Sequence, residues 1–277
     1  MLGHEILIKN FQKLIELKRL GHAYVFFGAE EVGKFLFAKS LANYLETGIF
    51  DDPQEAILND FYVIKPDEKG TIGVDAIRKL KYYFSEKPNR SAYRLAVIND
   101  ADRLTTEAQN ALLKTTEEPP ATSLLIFIIK ETDLLGETLV SRTHKIFFSP
   151  IKIGEIKKWL IDEKRITEKD AGEIARKSGG RPGLALAILE NKDFLKNYKL
   201  AGDLIKSEGT VRKDLIKKII EPDGFDLARF LDVLLLAIAN EVKGQPIFWH
   251  QALELRRNAD FFNLNPRLQL EGLFSSK

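Results

Sequence analysis

The sequence contains no cysteine, a single methionine and four histidines among 277 residues. Without cysteine the chain cannot form a disulfide, a thiolate zinc site, an iron–sulfur cluster or a cysteine nucleophile. The histidines show no ligand-like pairing, so a histidine-based metal site is not expected either. They are His4, His22, His144 and His250.

Long apolar runs are also absent. The longest, Leu124–Ile129 and Val233–Ala239, are far too short to span a bilayer. Met1–Asn10 lacks the basic start and apolar core of a signal peptide. With 44% hydrophobic and 30% charged residues, the composition is that of a globular protein with a buried core. We therefore expect a cytoplasmic protein with no membrane partner.

The net charge of +2 is too small to argue for nucleic acid, but it is unevenly distributed. Residues 151–220 hold 17 basic and 11 acidic side chains, whereas residues 1–150 hold 19 and 21 and residues 221–277 hold 6 and 8. The basic segment fits two interpretations, a solvated lysine-rich helical region or a surface that faces phosphates.

The first 150 residues alternate short apolar runs with helical patterns. The runs are continuous rather than alternating, as in strands with both sheet faces covered. They are Tyr24–Phe27, Phe61–Ile64, Leu95–Ile98, Leu124–Ile129 and Lys145–Phe148. Helices are predicted at Phe35–Leu45, Val74–Phe84 and Thr105–Glu118. This alternation predicts an α/β domain with a parallel sheet.

After Pro150 the pattern is helical only. Helices are predicted around Ile153–Leu160, after Thr167, and at Pro182–Glu190, Val211–Ile220, Asp226–Val242 and Gln251–Leu273. We expect an α/β core over residues 1–150, a three-helix segment over 151–206 and a further helical domain over 207–277.

A phosphate-loop motif follows the first strand. Gly28, Gly33 and Lys34 fit the frame GxxxxGK, in which backbone N–H groups wrap a phosphate and the lysine neutralises it. The alternative is a glycine-bounded turn with a chance lysine. The next residue should carry a hydroxyl for Mg²⁺, but it is Phe35. Two carboxylates in the loop, Glu30 and Glu31, also disfavour an anion.

The second nucleotide element has the same kind of defect. Strand Leu95–Ile98 ends in Asn99-Asp100-Ala101-Asp102 where an ATPase of this type carries Asp-Glu-Ala-Asp. Asn99 therefore replaces a metal-binding carboxylate, and Asp100 is a shorter base. Since Phe35 and Asn99 both fall on the Mg²⁺ side, we expect no ATP hydrolysis, no required cofactor and at most weak ATP or ADP binding.

Several ordered motifs resemble those of the bacterial clamp-loader AAA+ subunits. They are Gly3-His4, His22-Ala23-Tyr24, the phosphate loop, Ile72–Arg78, Asn99–Thr105, Asn110-Ala-Leu-Leu-Lys114 through Glu117-Glu118-Pro119-Pro120, Ser141-Arg142-Thr143, Gly179–Gly183, Arg256-Arg257-Asn258 and Asn263–Glu271. The resemblance extends over nearly the whole chain. The Asn-Ala-Leu-Leu-Lys to Pro-Pro run followed by Ser-Arg is the most specific part of it.

The resemblance implies a P-loop (RecA-like) AAA+ domain followed by a helical lid and a helical collar. It further implies partner subunits in a hetero-pentameric ring that loads a sliding clamp on primed DNA within a DNA polymerase complex. In that family the matching Ser-Arg motif donates an arginine finger to ATP on the adjacent subunit. Here the motif is Ser141 and Arg142, with Thr143 in place of the family's cysteine. The alternative for Arg142 is an ordinary surface arginine or salt bridge.

Three departures from the family fit a non-hydrolysing member. The segment Tyr44–Asp60 is too short for the family's four-cysteine zinc module, so no zinc is expected. Pro182, beside Arg181, matches the lid arginine that senses ATP. Strand Leu124–Ile129 ends in Lys130-Glu131 instead of a small polar sensor residue.

Two other functions stay open at this point: an ATP-hydrolysing AAA+ motor and a stand-alone DNA-binding protein that uses the basic segment. DNA phosphates could meet Arg90, Arg94 or Lys114. In the last domain most large apolar residues are expected in a bundle core and the remainder against neighbouring subunits. They are Phe230, Leu234, Trp249, Leu253, Phe261, Leu268 and Leu273.

Overall fold

The computed structural model describes residues 2–190, 192–222, 224–241, 246–259, 262 and 264–275. The chain forms two compact units. One consists of Met1–Thr167 with Gly179–Gly183, and the other of Glu168–Ser178 with Leu184–Lys277. Among the described residues, no helix is both long enough and apolar enough to cross a membrane.

The first unit is built on a five-stranded sheet in the order β2-β3-β4-β1-β5, and all of its strand pairs are parallel. Its elements are α1 (Glu5–Glu16), β1 (Ala23–Phe27), α2 (Lys34–Thr47), β2 (Phe61–Ile64), α3 (Val74–Ser85), β3 (Arg94–Ile98), α4 (Thr106–Glu117), β4 (Ser123–Ile128), α5 (Glu137–Val140), β5 (His144–Phe147) and α6 (Ile153–Asp162). The predicted parallel α/β domain is confirmed.

Helices cover both faces of this sheet, and alternate strand residues enter different cores. On one face Tyr24 and Phe26 of β1 pack with Phe11 of α1 and Phe37 of α2. On the other face Val25 belongs to a core built with α3, α4 and α5. Central strands are therefore buried throughout, which explains why their sequences are continuously apolar.

The strand β5 differs from the prediction of a buried strand. His144, Lys145 and Phe147 are exposed. The reason is topological, since β5 is an edge strand that pairs only with β1. Phe148, which follows it, is fully buried against Phe26 and Phe37.

The second unit is helical in its described part. Its helices are α7 (Glu168–Ser178), α8 (Pro182–Glu190), whose first two residues belong to the first unit, α9 (Lys192–Lys206), α10 (Gly209–Ile220), α11 (Leu227–Glu241), α12 (Pro246–Ala259) and α13 (Pro266–Ser275). One core gathers apolar residues of α9 to α13. Within the described residues no strand follows β5, as the sequence predicted.

Several helix predictions need correction. α1 and α9 were not anticipated, and α9 is a fourth helix in the range 151–206. The single closing helix Gln251–Leu273 is wrong, because Phe262, Leu264 and Asn265 are not helical and Pro266 begins a new helix. The three-domain division remains a prediction.

The large apolar residues of the last domain divide between core and surface. Phe230, Leu234 and Leu273 are buried in the core, and Leu253 packs against it. Trp249 and Leu268 are 37% and 64% exposed. Phe261, Asn263 and Val242, which entered the sequence predictions, lie outside the described residues.

Candidate functional site

The phosphate-loop motif occupies the turn between β1 and α2, at the carboxyl edge of the sheet. Gly28 has φ +132°, and a Cβ at this position would lie 2.4 Å from the carbonyl oxygen of Phe148. Gly33 has φ +102° and caps the N-terminus of α2. Both glycines adopt backbone conformations that other residues rarely accept. The loop therefore has the geometry that its sequence frame predicts.

The lysine of the motif is directed back onto its own loop. Lys34 is buried, and its Nζ donates to the carbonyl oxygens of Gly28 and Ala29, the latter at 2.7 Å. Burial lowers the pKa of Lys34 to about 8, and the nearby Glu30 offsets part of that effect. The cation that would neutralise a phosphate thus already has two backbone acceptors.

Three contacts from other parts of the chain also fix the loop. Lys130, two residues after the end of β4, forms an ion pair with Glu30 at 2.8 Å. The Nε2 of His4 lies 2.8 Å from the carbonyl oxygen of Val32. The N–H of Gly183 donates to the carbonyl oxygen of Glu31, which has φ +61°. The carboxylate of Glu30, expected to repel an anion, therefore has a cationic partner.

The two positions that would bind Mg²⁺ in a magnesium–nucleotide site are occupied by Phe35 and Asn99, which do not supply the expected hydroxyl and carboxylate. The ring centres of Phe35 and Phe61 lie 6.5 Å apart. The ammonium of Lys65 lies 5.8 Å from the ring centre of Phe35. The side-chain amide of Asn99 donates to Asp100 at 2.9 Å. Burial, with Asp102 and Glu30 nearby, raises the pKa of Asp100. A hydroxyl and a metal-binding carboxylate are missing from the two positions that should supply them.

Other metal chemistry finds no support in the described residues, among which no group of three or more histidine, aspartate and glutamate side chains could hold a metal ion. The segment after α2 is short, and the side chain of Asn43 donates to the carbonyl oxygens of Ile49 and Asp51 there. Pro182 is the first residue of α8, as predicted. The expectations of no zinc and no required cofactor remain predictions.

The predicted arginine finger lies in the turn between α5 and β5. The guanidinium of Arg142 donates to the carbonyl oxygen of Thr138 and, through Nη2, to a carboxylate oxygen of Glu117 at 2.6 Å. Ser141 donates its hydroxyl to Thr138 at 3.0 Å, and Thr143 donates to Val140 at 2.8 Å. The side chain of Arg142 is 35% exposed, so the residue is not fully enclosed by these contacts.

The structure does not bring Arg142 and Lys34 together. Arg142 precedes β5, whereas the phosphate loop follows β1, and these two strands are parallel neighbours. Arg142 therefore lies at the amino ends of these parallel strands and the phosphate loop at their carboxyl ends, so the length of the strand, roughly 13 Å for four residues, runs between them.

One candidate for DNA contact is excluded by its burial. Arg94 pairs with Glu86 at 2.6 Å, lies 3.8 Å from Asp60 and covers the ring of Tyr83. Its exposed fraction is 9%. Arg90 and Lys114 are exposed, and their role stays a prediction.

Sequence reasoning missed the partners of the predicted residues. Glu117 was seen only as part of a motif, and Lys130 only as a departure from a pattern. The opposite charges offered a weak signal, but 25 residues separate Glu117 from Arg142 and 100 separate Glu30 from Lys130.

Comparison with known proteins shows that the chain is similar to subunits of bacterial DNA polymerase III. A family model described as "DNA polymerase III, delta subunit" matches residues 3–152. The chain is 33% identical to the DNA polymerase III subunit delta' of Escherichia coli over 136 residues, which are 49% of this chain and 41% of that protein. It is 31% identical to the delta' subunit of Bacillus subtilis over 169 residues, 56% of this chain and 50% of that protein.

The tau subunit of Bacillus subtilis matches a longer part of the chain, with 29% identity over 223 residues, 75% of this chain and 39% of that protein. These matches thus cover half or less of each relative's length.

Two solved structures share the fold. A DNA polymerase III gamma subunit-related protein from Thermotoga maritima aligns with a TM-score of 0.58 and 18% identity over 96% of this chain and 97% of that one. The Holliday junction branch migration motor RuvB from Thermotoga maritima aligns with a TM-score of 0.55 and 16% identity over 98% of this chain and 88% of that one. The predicted P-loop AAA+ fold is thereby confirmed.

Proposed function

This chain belongs to the DNA polymerase III delta-subunit family, and from that premise we propose that it is a delta'-like clamp-loader subunit that does not hydrolyse ATP. It assembles with other clamp-loader subunits in a hetero-pentameric ring and supplies Arg142 to ATP bound by its neighbour. The complex, rather than this chain alone, places a sliding clamp on primed DNA.

The position of Arg142 carries this proposal. A guanidinium assists phosphoryl transfer when it reaches the charge that develops on the transferred group. Arg142 is partly exposed at the sheet edge opposite the chain's own phosphate loop. A finger in this place serves a site on another subunit.

The chain's own loop supports the non-hydrolysing part of the proposal. Lys34 donates to carbonyl oxygens of its loop, Phe35 has no oxygen for Mg²⁺, and the amide of Asn99 is bonded to Asp100. We therefore assign no ATP hydrolysis to this loop. ATP turnover by the purified chain alone would overturn this assignment in favour of a hydrolysing motor.

The test is the DNA-stimulated ATPase of the complex reconstituted with its partner subunits. We expect Arg142→Ala to leave assembly unchanged and to lower the rate at the one site that it serves by about 10³-fold. The total ATPase rate of the complex falls by the fraction that this site, together with any sites coupled to it, contributes. Arg78→Ala is the matched control, because Arg78 forms a similar ion pair with Asp75 on an exposed helix surface. An unchanged rate with Arg142→Ala would contradict the finger assignment.

DNA binding by the isolated chain tests the remaining alternative, a stand-alone DNA-binding protein. A stand-alone DNA-binding protein would bind primed DNA tightly and with a steep dependence on salt. We expect weak binding until the partner subunits are added. Tight binding by the isolated chain would favour the alternative.

A further inference from the structure

Resting on the proposed function, we propose that Glu117 is the positioning residue of Arg142: it holds one edge of the guanidinium so that the opposite edge faces the neighbouring subunit. The ion pair between Nη2 of Arg142 and Oε1 of Glu117, at 2.6 Å, is the observation from which this follows. The carbonyl oxygen of Thr138 accepts from Nη1 of the same group.

Nη1 also lies 3.4 Å from the hydroxyl oxygen of Ser141, and these contacts, all made through Nη1 and Nη2, leave the Nε–H of the guanidinium available. An arginine has five N–H donors in a rigid planar arrangement, so fixing two of them sets the direction of the others. The long side chain otherwise has many rotamers, and the loss of this freedom at an interface opposes binding. Glu117 and Thr138 restrict those rotamers before the neighbour binds.

The position of Glu117 gives an independent argument. It is the last residue of α4, where the helix dipole disfavours a carboxylate. A negative charge there does not help the helix, and Glu118 adds a second one beside it. The cation of Arg142 compensates the charge of Glu117, so the contact accounts for a residue that α4 itself would not select.

The surrounding packing makes the two residues a defined pair. Gln109 of α4 accepts from the N–H of Gly136, just before α5, at 2.8 Å. Leu112 of α4 and Leu139 and Val140 of α5 are buried in one core. The distance between α4 and the turn that carries Arg142 is therefore fixed by contacts that do not involve Glu117.

The experiment compares Glu117→Ala, Glu117→Gln and Arg142→Ala, singly and as the double variant Glu117→Ala/Arg142→Ala, in the reconstituted complex. We expect Glu117→Ala to lower kcat of the DNA-stimulated ATPase about threefold and to leave KM for ATP within a factor of two. Glu117→Gln keeps an acceptor oxygen and should retain more of the rate. Glu118→Ala removes the same charge one residue away and is the matched control.

The double variant separates positioning from a structural role. If Glu117 acts through Arg142, the double variant has the same rate as Arg142→Ala alone. The inference would be overturned if the double variant were slower than Arg142→Ala by the same factor that Glu117→Ala alone costs. It would also be overturned if Glu117→Ala alone left the rate unchanged or made it faster. Thermal unfolding should give Tm values for the Glu117 variants near that of the unmodified chain, because the loss of the ion pair is offset by the removal of an unfavourable charge from a helix end.

The outcomes also separate this inference from the proposed function. If Arg142→Ala leaves the ATPase unchanged, the finger assignment fails and the role of Glu117 fails with it. If Arg142→Ala lowers the rate and Glu117→Ala does not, only the positioning role is overturned.

Discussion

The ammonium of Lys130 lies 2.8 Å from a carboxylate oxygen of Glu30 and thereby connects the end of β4 to the phosphate loop. Both side chains are more than half exposed, so the pair contributes about 0–1 kcal/mol to stability. The two partners act on the pKa of Lys34 in opposite directions, since Glu30 raises it and Lys130 offsets part of that effect. The negative charge of Glu30 in the loop is thus paired with a positive charge from outside the loop.

Magnesium should not increase the affinity of the isolated chain for ATP. Phe35 has no oxygen ligand, and Asn99 offers a neutral amide in place of a carboxylate. Titration of a fluorescent ATP analogue should give dissociation constants that agree within twofold in Mg²⁺ and in EDTA. A partner subunit that hydrolyses ATP serves as the control. A tenfold tightening by Mg²⁺ would contradict this reading of the loop.

The stability contribution of Lys34 should depend on pH above about 8. Its folded pKa of about 8 lies below the ordinary 10.5, so between these values the unfolded chain binds more protons than the folded one. This group therefore makes the free energy of unfolding rise with pH in that window, and its contribution is constant at lower pH.

Urea denaturation of the unmodified chain and of Lys34→Met measures this dependence, since other titrating groups cancel in the difference. The free energy of unfolding of the unmodified chain, relative to that of Lys34→Met, should increase by about 2–3 kcal/mol between pH 7 and pH 10. A constant difference would show that Lys34 is not buried as described.

Asp60 should be a major determinant of stability. It accepts the backbone N–H groups of Asn89, Arg90 and Ser91 at 2.6–2.9 Å and lies beside the buried Arg94. Burial raises the pKa of Asp60, but these donors outweigh it and hold the pKa below its ordinary value. The stabilisation is present above the unfolded pKa of about 4 and is lost as pH falls through the lower folded pKa.

Asp60→Asn should reduce the free energy of unfolding by about 1–3 kcal/mol at pH 7, because an amide NH₂ group in place of one carboxylate oxygen leaves at least one of the three backbone N–H donors without its acceptor. The loss should shrink as pH falls below the unfolded pKa of about 4 and through the lower folded pKa. Asp75→Asn, which removes an exposed ion pair with Arg78, should cost less than about 1 kcal/mol. Equal losses for the two variants would contradict the prediction.

The two motif glycines should differ in their tolerance of a side chain. An alanine at Gly33 has space, since the nearest atom is 4.0 Å from its Cβ, and costs about 1–2 kcal/mol for its backbone conformation alone. An alanine at Gly28 also meets the carbonyl oxygen of Phe148 at 2.4 Å, so the strand end must move. Urea denaturation should show a clearly larger loss for Gly28→Ala, by at least about 1 kcal/mol.

The sheet could be predicted because burial on both faces leaves a continuous apolar signal in each central strand. Helices with a start signal were predicted well, such as α4, where Thr105 caps the helix by accepting from the N–H of Ala108. α1 lacked such a signal, because its N-cap His4 forms no side-chain cap. α9 begins two residues after the end of α8, with neither glycine nor proline between them to mark a boundary.

The phosphate loop was recognisable because its chemistry is concentrated in one short motif. The contacts that hold the loop in its observed conformation come from residues far away in the sequence. Lys130 and Gly183 reach the loop from distant parts of the sequence, and the turn of Lys34 toward carbonyl oxygens depends on how deeply its side chain is buried. Sequence patterns specify which groups exist, whereas folding decides which of them meet.

The placement of Arg142 and Lys34 at opposite sheet edges has a consequence for symmetry. A two-fold dimer could bring these two sites together only reciprocally, with the arginine of each copy at the phosphate loop of the other. A head-to-tail contact instead brings one arginine to one loop and therefore gives the contact a direction. Under the proposed role, a head-to-tail array of identical copies would also be inert, because each finger would meet a loop without metal ligands. Under that role the chain is a donor that requires a chemically different acceptor.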